Sequence, residues 1–168
     1  MTTQTLLVMR HAKSDWSTNE SDFDRPLNKR GLKDARRMGQ WLKQQNIVPD
    51  RLVSSPALRT TETVKIVCKQ LGINNEDIIW DDRIYEADLD DLLQVVAEHG
   101  KNANRLMLTG HNPGLDSLVN YLTSDEPQYT ASGKLMTTAA IAAIDFRDGF
   151  NNKKGSGRMV MMARPKEI

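Results

Sequence analysis

Arg10 and His11 follow directly on an apolar run, residues 6–9. Arg59 stands in "SSPALRTTET", just past the apolar "RLV" of residues 51–53. His111 stands in "TGHNPGL", just past "RLMLT" of residues 105–109. Each place is a junction where a strand-like segment gives way to a polar or helical one. In a parallel sheet the C-terminal ends of the strands share one edge, and ligands bind there. Two arginines and two histidines that are distant in sequence can therefore meet. Helix N-termini at such junctions favour an anion. The arginine fork binds pairs of oxygens bidentately. Together these features point to a pocket for a small, highly charged anion, with phosphate the natural candidate. One arginine or histidine at a strand end ordinarily just meets water. Four of them at three equivalent junctions are harder to ascribe to solvation. Lys13, Ser14 and Ser17, in the polar loop after the first junction, are candidates for the same phosphate shell.

The elements that must position these residues alternate between strand and helix patterns. That alternation predicts an α/β fold with a largely parallel sheet. Strands are expected at residues 5–9, 51–54, 78–80 and 105–109. A helix begins after Asn28 as its cap, with Leu32, Ala35, Met38, Gly39 and Leu42 on its inward face. A second is expected with Ser55 as N-cap, Pro56 at the first helical position and Gly72 past the end. Its inward face would be Ala57, Thr61, Val64, Cys68 and Leu71. A third runs from the cap Asp88 to Gly100, and a fourth opens with Asn112 as cap and Pro113 at its first position. Residues 124–136 read as a loop. Two late strands, at residues 138–146 and 158–163, form a hairpin with a long connection. That hairpin implies an antiparallel pair at the end of the sheet. Residues 13–26 and 124–136, the longest loops, are candidate binding loops.

Composition narrows the function classes. The 168 residues suit one domain, residues 1–168, large enough to bury a core. Lys and Arg number 23 against 22 Asp and Glu, a net charge of +1, so no broad basic footprint argues for nucleic acid or a membrane surface. Only four consecutive apolar residues run up to Arg10, too few for a signal peptide or a spanning helix. The single cysteine, Cys68, allows no internal disulfide. A cytoplasmic monomer is the expectation. No His, Cys or acidic group has metal-ligand spacing, so no metal and no cofactor are expected. Lys29, Arg30, Lys33, Arg36 and Arg37 read as the wet face of a helix. Asp88, Asp90 and Asp91 read as a cap and an acidic first turn, and His99 as a helix-terminal cation. The methionines, Met159, Met161 and Met162 among them, read as core filler.

"VMRHAKS", "SSPALRTTET" and "TGHNPGL" resemble the three signature segments of the histidine phosphatase superfamily, the branch that includes phosphoglycerate mutases. The "RHAKS" form, with Ala12 where many members carry glycine, and the "DRPLNKRG" and "YEAD" segments are most similar to the small SixA-type phosphohistidine phosphatases. The resemblance implies a three-layer α/β/α sandwich around a mostly parallel sheet with an antiparallel edge strand. It also implies a role for each residue. His11 would be the nucleophile that forms a phosphohistidine intermediate. Arg10 and Arg59 would hold the phosphoryl oxygens, His111 would complete the pocket, and Glu86 would be the proton donor. For His11 to attack, its other ring nitrogen should be held by a backbone carbonyl or a similar acceptor. Asp24, Arg25 and Arg30 match a family segment and are read mainly as structural. The chain lacks the insertions that cover the site in larger members, so an open pocket is expected. That suits a phosphorylated protein, such as a phosphotransfer domain or phosphocarrier, better than an enclosed small molecule. The alternatives are a phosphomonoesterase acting on a small phosphorylated metabolite, and a non-catalytic phosphoprotein-binding module.

Overall fold

The computed structural model describes residues 3–168. Strands β1 (Gln4–Arg10), β2 (Arg51–Ser54), β3 (Ile78–Trp80), β4 (Arg105–Gly110), β5 (Ile141–Phe146) and β6 (Arg158–Ala163) make one sheet in the order β3-β2-β4-β1-β5-β6. Four helices, α1 (Lys29–Gln44), α2 (Leu58–Leu71), α3 (Leu89–His99) and α4 (Gly114–Leu122), cover it. Strands β3, β2, β4 and β1 are mutually parallel, while β5 runs antiparallel to β1 and to β6. The antiparallel strand therefore lies one place in from the edge, and β6 flanks it.

Alternation along β1 explains the layers. Leu6 and Val8 project to one face, and Leu7 and Met9 to the other; all four are fully buried. Leu6 and Val8 join Leu106 and Leu108 under α3 and α4, among Leu92, Val96, Leu115 and Leu118. Leu7 and Met9 join Leu52 and Met107 under α1 and α2, among Met38, Leu42, Val64 and Val67. A sheet covered on both faces needs strands that read as continuous apolar runs, which is why "LLVM" and "LML" carry no polar residue. Among the described residues no helix is long and apolar enough to cross a membrane.

Several boundaries and faces differ from expectation. α2 starts at Leu58 with Ala57 as its N-cap, not at Pro56 behind Ser55. Ser55 follows β2 and still bonds to the sheet, its N–H donating to the Thr109 carbonyl at 3.1 Å. α4 starts one residue late, at Gly114. The Asn112 side chain nonetheless accepts from the Asp116 N–H at 3.1 Å. On α1, Leu32 is 38% exposed, and Gly31 and Asp34 take the inward positions. On α2, Thr61 and Leu71 are half-buried, while Arg59, Thr60, Thr63 and Val67 are buried. Met159, Met161 and Met162 are half-buried at the sheet edge, packed against the core rather than within it. The α3 cap is as expected, with Asp88 and Asp91 forming a reciprocal capping box.

Gly31 lies against the chain that leaves β1. A Cβ there would come within 2.1 Å of the Lys13 carbonyl oxygen. Alanine normally gains about 1 kcal/mol over glycine inside a helix. Here Gly31→Ala should instead destabilise the protein by about 1–3 kcal/mol, because backbone has to move to admit the methyl group. Urea unfolding of the variant checks the sign.

Candidate active site

Strand register brings the three junctions to one level. Arg10 pairs with Gly110 across β1 and β4, and Ser54 pairs with Thr109 across β2 and β4. His11, Ser55 and His111 thus follow neighbouring strand ends. The His11 N–H donates to the Gly110 carbonyl and the His11 carbonyl accepts from the Ala139 N–H, both at 3.1 Å. Ala12 N–H donates to Thr63 Oγ at 3.0 Å, and the same hydroxyl donates to the Arg59 carbonyl at 2.7 Å. The residues around His11 are therefore tied to β4, to the segment before β5 and to α2.

His11 is 7% exposed. Its Nδ1 lies 2.7 Å from the Ala12 carbonyl oxygen. A carbonyl only accepts, so Nδ1 carries the proton and Nε2 carries the lone pair. Burial pushes the His11 pKa down to about 3, against the pull of the Ala12 carbonyl, with His111, Arg59 and Arg10 adding to the fall. At neutral pH the ring is uncharged. The ring of His111 stands 5.2 Å from it, centroid to centroid. His111 Nε2 lies 2.8 Å from Ser55 Oγ and 3.3 Å from Thr60 Oγ. Burial, followed by the Arg59 charge, lowers its pKa to about 4.

Two guanidiniums accompany these rings. Arg59, 6% exposed in the first turn of α2, donates from Nη1 to the Asp22 carbonyl and from Nη2 to Asp22 Oδ2 at 3.2 Å. Arg10 donates from Nη1 to the Met136 carbonyl at 3.0 Å. Burial lowers the Arg10 pKa, Asp116 opposes that, and the neighbouring charge of Arg59 adds to it. Among the described residues, Arg10 Nε, Arg59 Nε and His111 Nδ1 are buried without a hydrogen-bond partner. Buried like charges with unused donors are costly unless something anionic satisfies them. The cluster is built for an oxyanion with several oxygens.

Arg59, His111, Tyr85, Glu86, Asp22 and Ser117 help line a cleft of ≈590 Å³. Glu86 sits on this wall, exposed, at φ +56°, a left-handed conformation that non-glycine residues seldom adopt. Arg10 opens instead onto a second cleft, of ≈560 Å³. His11 is buried and lines neither. Ser17 is not part of the cluster. It is exposed and its hydroxyl donates to Asp15 Oδ1 at 2.6 Å, a local turn that uses up the group. Ser14 is buried and accepts from Arg25 Nε at 3.0 Å. Lys13 is exposed on the second cleft. Arg25 is structural, ion-paired to Asp22 at 2.9 Å and stacked 3.7 Å over Trp16. His99 contacts Asp81 at 2.9 Å, outside the cluster.

Sequence reasoning passed over Asp22 and Tyr85. The Tyr85 hydroxyl donates to Asp22 Oδ2 at 2.5 Å and its ring packs edge-on to His111 at 5.5 Å. That hydroxyl, then the Arg59 charge, hold the Asp22 carboxyl down to about 2 against its burial. The same hydrogen bond pushes Tyr85 up to about 12. Among the described residues no group of three or more His, Cys, Asp or Glu is placed to hold a metal ion.

The two depressed imidazoles set a pH window. An unfolded histidine titrates near 6.5. Folded His11 and His111 titrate at about 3 and about 4, so below pH 6.5 the native state binds fewer protons than the unfolded chain. Their contribution is complete above that pH and is lost as pH falls toward 4. Unfolding free energy should decline between pH 7 and pH 4.5, and His11→Gln with His111→Gln should flatten the slope.

Known proteins resemble the chain in sequence and in fold. The chain is 31% identical over 116 residues to an uncharacterized protein of Mycobacterium tuberculosis, covering 69% of this chain and 70% of that one. It is 32% identical over 90 residues to a 2,3-bisphosphoglycerate-dependent phosphoglycerate mutase of Parvibaculum lavamentivorans, covering 52% of this chain and 43% of that one. In structure it matches the SixA protein of Agrobacterium tumefaciens at a TM-score of 0.81 and 24% identity, over 96% of this chain and 99% of that chain. It matches the protein histidine phosphatase SixA complexed with tungstate at a TM-score of 0.80 and 23% identity, over 97% and 98%. These structural likenesses establish the fold. Residues 6–107 match the sequence profile of the histidine phosphatase superfamily (branch 1), and the chain belongs to that superfamily.

Proposed function

We propose that the protein, as a single domain over residues 1–168, hydrolyses phosphohistidine on a protein substrate through a covalent phospho-His11 intermediate. The observation that carries this reading is the pinned tautomer. The Ala12 carbonyl holds the proton of His11 on Nδ1, which leaves a neutral, unprotonated Nε2 beside two guanidiniums. Nε2 attacks phosphorus, a P–Nε2 bond forms, and the P–N bond to the substrate histidine breaks. The leaving imidazole departs uncharged from the form that carries a proton on its distal nitrogen. Phospho-His11 is then cationic on its ring, and the Ala12 carbonyl that accepts from Nδ1 stabilises that charge. Arg10, Arg59 and His111 hold the three non-reacting oxygens, where transition-state charge lies. Water attacks phosphorus next, its surplus proton passing to Glu86 or to the departing phosphate. His11 leaves as the neutral ring it began as.

An exposed Glu86 and a single short helix, α3, between it and β4 leave the cleft uncovered. A side chain presented by another protein can reach such a site. The tungstate complex of a protein of the same fold supports an oxyanion ligand. A small phosphoester is the second reading, favoured by the cleft volume of ≈590 Å³ and by the phosphoglycerate mutases among the relatives.

His11→Ala should abolish phosphate release from a phosphohistidine protein, and wild-type enzyme quenched in alkaline denaturant, where the P–N bond survives, should yield phosphorylated His11. Full activity in the alanine variant would sink the mechanism, and absence of any labelled His11 would favour a binding module. Glu86→Gln separates the substrates. An alkyl phosphate needs a general acid, so its kcat/KM should fall about 100-fold or more, whereas phosphohistidine should lose less than about tenfold.

A further inference from the structure

The second cleft, of ≈560 Å³, is lined by Arg10, Lys13, Arg30, Lys134, Arg164 and Lys166, against only two acids, Asp34 and Glu167. Six cations against two acids leave an excess of four positive charges, on a chain whose total is +1. The remainder of the protein is therefore net −3, and the positive field is concentrated on one site. The two acids are already engaged, Asp34 with Arg30 at 3.5 Å and Glu167 with Arg164 at 3.1 Å. Arg10, Lys13, Lys134 and Lys166 take part in no ion pair among the described residues.

We infer that this cleft docks an acidic surface of the phosphoprotein substrate, in register with the reacting histidine. The inference rests on the phosphohistidine reading above and names what the partner must present. Continuity is the first argument, since the cleft ends on Arg10, the immediate neighbour of His11. The character of the cations is the second. Lys13, Arg30, Lys134 and Lys166 are all exposed. Lysines are hydrated point charges on flexible stems, suited to spread carboxylates on a surface. A small anion held tightly calls for a few converging, buried donors instead. The one buried fork away from the reaction centre, Arg164, is consumed internally by the Leu135 and Gln128 carbonyls and by Glu167. It braces the 128–135 segment and leaves the rim lysines free to pair. Such rim charges raise association rate and salt dependence more than they slow dissociation.

The test is the double variant Lys134→Glu, Lys166→Glu, assayed on two probes: a phosphohistidine-bearing phosphotransfer domain of net negative charge, and free phosphohistidine. At low salt kcat/KM on the domain should fall about tenfold or more, with free phosphohistidine changed less than about twofold. Wild-type turnover of the domain should drop as salt rises, and the variant should have a flatter dependence. Equal losses on both probes, or no loss on the domain, overturn the proposal. Calorimetric binding of the phosphorylated domain, in a His11→Ala background with and without the two reversals, reads the cleft without turnover. If wild-type enzyme releases phosphate from neither probe, the phosphatase reading falls, and the calorimetry still decides the cleft: tenfold weaker binding supports it, and unchanged binding overturns it. Pyrophosphate binding that is lost in the double variant while domain binding persists would make the cleft a small-anion site and overturn the proposal.

Discussion

One hydrogen bond, from His11 Nδ1 to the Ala12 carbonyl, fixes which nitrogen of a buried ring keeps its lone pair. A free imidazole exchanges tautomers readily, and a buried one keeps whichever its surroundings solvate. Holding that carbonyl in place is a task for the whole fold. The backbone on either side of the ring is bound to Gly110, Ala139 and Thr63, which belong to β4, to the approach to β5 and to α2. Those partners stand where they do because β1, β2 and β4 pair in parallel with their C-terminal ends level. The buried apolar strand and the reactive ring are one construction.

Burial does a second thing. It removes charge from both histidines and leaves the positive potential to the arginines. The proposed reaction makes of this a division between groups that would hold an anion and a group that would share electrons with it. Asp22 complicates the division. Its carboxylate binds Arg59, Arg25 and the Tyr85 hydroxyl, so a loop acid already occupies part of the Arg59 guanidinium. Held well below the usual carboxylate range, it stays ionised and offsets part of the positive charge of the cluster.

Most of the architecture was legible in the sequence, because an apolar run buried on both faces and a capping box are local signals. α3 shows this, its Asp88 and Asp91 caps lying three residues apart. The misreadings arose where a distant partner outbid a local rule. Ser55-Pro56 has the form of a helix start, and its hydroxyl does accept from the Ala57 N–H at 3.2 Å, but the same hydroxyl lies 2.8 Å from His111 and its N–H donates to Thr109 of β4, so the helix begins only at Leu58. Leu32 fits the helical stripe, yet the close approach of Gly31 to Lys13 turns α1 so that Leu32 faces outward. Ser17 erred the other way, since Asp15, two residues off, captured it. The convergence of Arg10, His11, Arg59 and His111 was legible from parallel-sheet logic. Asp22 was not, because nothing in "SDFD" sets one aspartate apart until the loop is folded onto Arg59.

The Thr63 hydroxyl has a consequence for how such a chain can change. It accepts from Ala12 N–H and donates to the Arg59 carbonyl, so a single oxygen staples the turn bearing the reactive ring to the turn bearing the cation. The chain between them, residues 13–58, can lengthen, shorten or acquire new binding surface while the span across that oxygen stays the same. On the proposed reaction, substrate preference is thereby free to drift in the loops without recalibrating the distance between the ring that would attack and the cation that would hold the phosphoryl group.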